Sequence, residues 1–158
     1  MQKRPPGASQ SWPGIEGIEM IRIYTRGNYD RRSRLGFFYF FTFSDTTRIR
    51  YKESGNFECR NVFQAECKGI FRALGWWAAR REIREDIEVP CSPVVSMYLN
   101  SLTSKYFKPR PKDDMSAVGR ILQVIAFTGL KVVYTPRGAG DEPCFDVENH
   151  KLEAGVCH

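Results

Sequence analysis

Apolar residues recur along this chain with two different periods, and the points where the period changes divide it into elements. In residues 61–77, NVFQAECKGIFRALGWW, the residues Phe63, Cys67, Ile70, Leu74 and Trp77 fall at helical spacing, which predicts a helix with one apolar face against a sheet. Asn61 with Gln64 three residues on reads as a capping box that starts it. Upstream, Ile21, Ile23 and Thr25 alternate with Arg22 and Tyr24, a half-buried strand that begins near Met20 and stops at Gly27-Asn28. The run GFFYFFTF at 36–43 is too aromatic for a solvent-facing strand and predicts a second one packed on both sides. A third short strand is expected at 47–51, with Arg48 and Arg50 on one side and Ile49 and Tyr51 on the other. Three consecutive strands joined by tight turns make an antiparallel meander, followed by a polar connection at 52–60.

Beyond the helix, residues 87–89 supply a short fourth strand stopped by Pro90, and Pro93 can open a second helix carrying Val94, Met97, Tyr98, Leu99 and Leu102. A basic, proline-broken loop at 106–112 leads to a third helix. Asp113 and Asp114 sit at its positive N-terminal end, Met115, Val118, Ile121, Leu122 and Ile125 share a face, and Gly129 stops it. The period then returns to that of a strand at 130–134. A Gly-rich loop at 136–143 and a short terminal helix at 146–154 complete the reading, which describes an α/β domain with helices packed on a mixed sheet.

Composition narrows the class. With 158 residues, 42% apolar and 13% aromatic, the chain has material for one globular core. Residues 1–19 are rich in Pro, Gly and Ser without periodicity and read as a linker or truncated upstream segment, leaving 20–158 as the domain. That start has no apolar stretch of the signal-peptide kind, and no run reaches a membrane-spanning length, so an intracellular place, nucleus or cytoplasm, is expected. Five cysteines without a Cys-x-x-Cys pair argue against a disulfide framework and a structural zinc site. The net charge of +6 is compatible with a polyanionic partner but does not choose one. Its basic residues group at Arg31, Arg32 and Arg34, at Arg48, Arg50 and Lys52, and at Lys105, Lys108, Arg110 and Lys112; each group reads equally as a solvated surface.

One residue breaks the pattern. Glu66 lies at the border of the apolar face of the 61–77 helix, where an ionised carboxylate is costly unless a cation meets it. A metal ion, an arginine or water would each serve. Trp76 and Trp77 read as core or helix-border residues before they read as base-stacking platforms.

The element order, with the segments IYTRGN, VFQAE, LNSLTSKYF and KVVYTPRGAGD, resembles the ribonuclease H domain of insect-type non-LTR retrotransposon polyproteins, from about Ile21 to Gly155. The resemblance implies a mixed five-stranded sheet, three antiparallel strands and then parallel ones, flanked by helices. It also implies cleavage of the RNA strand of an RNA–DNA hybrid by two divalent metal ions, Mg2+ in the first place, held by four carboxylates. Two such ions roughly 3.5–4 Å apart repel, so several shared carboxylates must offset the repulsion.

Matched to that pattern, the chain departs at most ligand positions. Thr25-Arg26-Gly27-Asn28 puts Arg26 where the first carboxylate belongs, a reversal of sign. Glu66 matches the second. Val94 falls at the third, with Pro93 or Ser92 if the match shifts, and none of these binds a hard cation as a carboxylate does. Glu148 matches the fourth, with Asp146 as the alternative, and Pro136-Arg137-Gly138 replaces a histidine-bearing turn. A degraded site that still holds nucleic-acid backbones is therefore expected, with Arg26, Arg31, Arg32, Lys105, Lys108 and Arg137 as candidate contacts and Glu66 and Glu148 as weak metal ligands at most. An active enzyme with displaced ligands, drawn from Asp30, Asp86, Glu88, Asp141 or Glu142, and a protein-interaction scaffold are the competing readings.

Overall fold

The computed structural model describes residues 20–80, 85–137, 144–146 and 151–153, the last two stretches by their backbone. Alternation along the first strand, β1 (Met20–Asp30), buries Ile21, Ile23 and Thr25 on one side. It pairs antiparallel with β2 (Leu35–Ser44), which pairs antiparallel with β3 (Arg50–Glu58). After α1 (Val62–Ala78), β4 (Asp86–Cys91) returns parallel to β1. Two helices, α2 (Pro93–Asn100) and α3 (Lys112–Thr128), then lead to β5 (Val132–Pro136), parallel to β4. The sheet order is β3-β2-β1-β4-β5, the expected three antiparallel strands followed by parallel ones.

Several boundaries differ from the sequence reading: β1 continues through Gly27-Asn28 to Asp30 because β2 pairs with it to Leu35, and β4 continues through Pro90 to Cys91 beside β5. β3 runs on to Glu58, through the stretch read as a polar connection, because an edge strand needs backbone partners on one side only and β2 supplies them as far as Leu35. β5 starts at Val132, since Gly129 leaves α3 in the left-handed conformation (φ 73°) and the chain must turn before it can pair. The expected terminal helix is replaced by an antiparallel pair, β6 (Cys144–Asp146) and β7 (Lys151–Glu153). The even-numbered residues of β2 are buried against the helices, whereas Phe37, Phe41 and Phe43 on the other side are half-buried.

α1 is the spine of the core. Ile70, Ala73, Leu74 and Trp77 pack with Ile21, Ile23, Phe40, Ile87 and Val89 of the sheet and with Val118 and Ile121 of α3. The Trp77 indole N–H donates to the Thr42 hydroxyl, which donates on to the Arg22 carbonyl at 2.8 Å, so neither buried polar group is stranded. Trp76 stacks on Tyr51 with ring centroids 4.4 Å apart, as expected of a helix-border aromatic. At the N-terminus, the Asn61 side chain accepts from the Gln64 N–H at 2.9 Å. The Gln64 side chain reaches back to the Arg60 N–H at 3.0 Å, one residue earlier than a standard capping box requires.

Asp114, expected as a dipole-complementing surface charge, is only 1% exposed. It accepts from Asn61 Nδ2 at 3.0 Å, Gln64 Nε2 at 2.6 Å and Arg110 Nε at 2.9 Å, tying the start of α3 to the start of α1. Burial alone would raise its pKa, but these hydrogen bonds and the Arg110 charge outweigh burial and lower it. Arg110 in turn lies 3.9 Å over the Phe63 ring.

Close approach fixes where α1 meets β1. A Cβ added at Gly27 would lie 2.4 Å from the Glu66 nitrogen and 2.7 Å from the Ala65 carbonyl carbon, inside backbone that cannot yield. Gly27→Ala is expected to destabilise the domain by about 2–3 kcal/mol in urea titration. Gly75→Ala, where an added Cβ meets nothing within 4 Å, should be neutral or stabilising by up to about 1 kcal/mol. The Asp114 carboxylate, with its lowered folded pKa, contributes stability that is complete above the unfolded pKa of about 3.9. That contribution is lost as pH falls through the folded value. Asp114→Ala should therefore lose about 3 kcal/mol at neutral pH and flatten the acid limb of a stability-against-pH curve.

Candidate functional site

Glu66 lies in the second turn of α1 and is 4% exposed. Its Oε1 accepts from the Ser92 backbone N–H at 3.2 Å and faces the Arg137 guanidinium, with Nη1 at 3.5 Å. The same Nη1 donates to the Thr25 carbonyl. The Arg137 backbone N–H is fixed by the Cys91 carbonyl at 2.8 Å, so the residue following β5 is anchored to the end of β4 and its side chain reaches β1. Four parts of the fold thus meet at one carboxylate: β1, α1, the β4–α2 junction and the end of β5. The cation that Glu66 needed is an arginine.

Ser92 contributes through its backbone. Its hydroxyl accepts from the Val95 N–H at 3.3 Å and caps α2, while its own N–H turns to Glu66. Val94, in the first turn of α2, is 58% exposed and offers no ligand. Arg26 does not join Glu66. Its neighbours Thr25 and Gly27 face α1, so alternation sends the Arg26 side chain to the opposite face of the sheet, in one row with Tyr39 and Ser54.

The other candidates disperse. Arg31 and Arg32 lie in the exposed β1–β2 turn, where the Asp30 carboxylate accepts from the Arg32 N–H and the Ser33 hydroxyl and is spent on the turn itself. Lys105 and Lys108 are exposed in the loop after α2, with the Lys105 ammonium 5.1 Å over the Tyr106 ring. Glu88 is buried in β4, 3.4 Å from Arg22 Nε, and pairs in register with Arg22, away from Glu66. Asp86 begins the same strand. Glu148, Asp141 and Glu142 lie outside the described residues, and Asp146 is described by its backbone in β6.

Among the described residues no three Asp, Glu, His or Cys side chains gather as a metal-binding group. The described side chains do not fit a magnesium pair: the position a cation would take at Glu66 Oε1 is faced by a guanidinium. At about 4 Å and an effective dielectric near 20, a unit charge there opposes another like charge by roughly 4 kcal/mol. Cysteine chemistry is also unfavoured. Burial, reinforced by the Glu66 charge, pushes the Cys91 thiol up to about 12, and burial pushes Cys67 up further. The Thr25 hydroxyl and the Tyr134 hydroxyl are buried without a hydrogen-bond partner among the described residues.

No protein-family model matches the chain, and no curated protein matches it significantly. Solved structures do match. Ribonuclease H1 from the halophilic archaeon Halobacterium salinarum is 17% identical, with 75% of this chain and 86% of that one covered and a TM-score of 0.58. LC11-RNase H1 in complex with an RNA/DNA hybrid is 16% identical, with 74% and 86% covered and a TM-score of 0.60. An N-terminal ribonuclease H domain from Mycobacterium tuberculosis is 11% identical, with 75% and 84% covered and a TM-score of 0.59. At such identities the likeness is one of architecture, and it agrees with the strand order and helix placement described above: the chain has the ribonuclease H fold.

Proposed function

We propose that this chain is a retrotransposon-derived ribonuclease H-like domain that does not cleave and that retains RNA–DNA hybrids through contacts to their backbones. The observation that carries the reading is the Glu66–Arg137 pair. Hybrid cleavage by this fold family relies on clustered carboxylates that hold cations. Here the carboxylate that matches the family best is committed to an arginine and to the Ser92 N–H. The origin rests on the sequence segments that resemble retrotransposon domains, and the partner on the hybrid bound by one structural neighbour.

With Glu66 so occupied, no described group is placed to activate a water. What remains is attraction. Arg31 and Arg32 in the β1–β2 turn, and Lys105 and Lys108 after α2, present exposed cations to phosphates, while Arg137 acts mainly as a tie between strands. A protein-interaction role has one observation in its favour: Val94 and Met97, 58% and 69% exposed, form an apolar step on α2 beside Ser92.

The test is incubation of the purified chain with a labelled RNA–DNA hybrid, in magnesium and then in manganese, followed by retention across a salt series. The expected outcome is no cleavage above a protein-free control, with retention that weakens as salt rises. The double variants Arg31→Ala/Arg32→Ala and Lys105→Ala/Lys108→Ala should each lower the salt dependence by about 1 per contact removed. Cleavage by the unmodified chain that Glu66→Ala abolishes would overturn the proposal. Neither cleavage nor retention would leave the interaction role.

A further inference from the structure

The helices bury against one face of the sheet, and the opposite face carries a different chemistry. At its β3 end the register sets Arg22, Phe43 and Arg50 in one row and Tyr24, Phe41 and Lys52 in the next. Phe41 and Phe43 are half-buried, with ring centroids 5.7 Å apart, and the Arg50 guanidinium lies 5.5 Å from the Phe41 centroid. Tyr24 stacks on Phe43 at 6.2 Å with planes 18° apart. Beside them the turn from β2 to β3 forms an open cavity of 560 Å³ lined by Phe43, Ser44, Asp45, Arg48 and Arg50.

This corner carries four cations, Arg22, Arg48, Arg50 and Lys52, and three carboxylates, Asp45, Glu85 and Glu88, which are not spread evenly among them. Asp45 and Glu88 both turn to Arg22, at 2.9 and 3.4 Å, and the Ser44 hydroxyl binds Glu85. Arg48, Arg50 and Lys52 have no carboxylate partner among the described residues. Charges on an edge strand also discourage strand pairing, which accounts for Lys52 but not for an arginine laid on a ring beside a cavity. Flat rings interleaved with unpaired cations match a ligand that alternates flat bases with phosphates. A duplex hides its base faces, so the match is to an unpaired strand.

We propose that this corner of the sheet is a second nucleic-acid site, which binds single-stranded RNA or DNA on the face opposite Glu66. A base stacks against Phe41 or Phe43, and the flanking phosphates meet Arg48, Arg50 and Lys52. Arg50 and Lys52 project from alternate residues of an extended strand, a separation suited to successive phosphates of a stretched chain.

Fluorescence anisotropy with a short labelled oligouridylate tests the site on the full chain. Arg50→Glu/Lys52→Glu should weaken binding about tenfold or more and reduce the slope of log affinity against log salt by about 1.4, at about 0.7 per cation. Phe43→Leu should weaken it about fivefold or more with the slope unchanged. Lys131→Glu, exposed between α3 and β5, should leave it as it was. Should Phe43→Leu fail to fold by circular dichroism, the double reversal on the exposed edge decides alone. Absence of binding, unchanged binding in the Arg50/Lys52 variant, or a loss matched by Lys131→Glu overturns the site. So does an acidic peptide that competes as well as the oligonucleotide, or an equal loss of hybrid retention in the Arg50/Lys52 variant, which would place both ligands on one surface.

Discussion

A carboxylate held under the surface must be met by something positive, and the way Glu66 is met organises this domain. Arg137 reaches it from the end of β5, binds the Thr25 carbonyl of β1 with the same nitrogen, and is itself held by the Cys91 carbonyl of β4. The pair therefore fastens the parallel half of the sheet to the meander at a level where the paired part of β1 and β4, Met20–Arg22 with Asp86–Glu88, has already ended. The ends of β4 and β5 pair with each other, and that bridge is what ties them to β1 beyond Arg22. Gly27 serves the same junction from the other direction, because only a residue without a Cβ lets α1 lie close enough for Glu66 to point at the gap.

A second buried carboxylate, at the start of α3, repeats the device. Asp114 gathers Asn61, Gln64 and Arg110, so the first turns of α1 are held by polar contacts while its later turns, from Ile70 to Trp77, are held by apolar packing. The two halves respond differently to conditions. Acid weakens the Asp114 contacts, whereas apolar packing has no group to titrate.

Much of the architecture was legible from periodicity. The helical spacing of Phe63, Cys67, Ile70, Leu74 and Trp77, and the alternation around Ile21 and Ile23, correspond to burial in the structure, because in both places one face carries the core. The extension of β3 through Lys52 to Glu58 was not legible, since an edge strand is selected by the backbone groups of its neighbour rather than by apolar residues of its own. Nor could the burial of Asp114 be read, as its partners Asn61 and Gln64 lie on another helix. At the site, the need of Glu66 for a cation followed from its place on the helix, but the identity of that cation required the pairing of β5 beside β4, which brings Arg137 to it. The aromatic run of β2 was read as buried on both sides; Tyr39 is, but Phe41 and Phe43 are half-buried beside a basic corner, because hydrophobicity alone does not distinguish a core face from a stacking face.

A carboxylate met by an arginine and carboxylates gathered around metal ions have opposite consequences for stability. Carboxylates gathered to hold divalent ions repel one another whenever the ions are absent, by roughly 4 kcal/mol for a pair at about 4 Å and an effective dielectric near 20. A domain built that way trades stability for chemistry. Among the described residues of this chain Glu66 is instead faced by a guanidinium, and the interaction has the opposite sign. Glu66 consequently acts as a tie between α1, the start of α2 and the end of β5 rather than as a source of strain. The backbone frame of the ribonuclease H fold is thus present in a chain whose described side chains gather no metal-binding group.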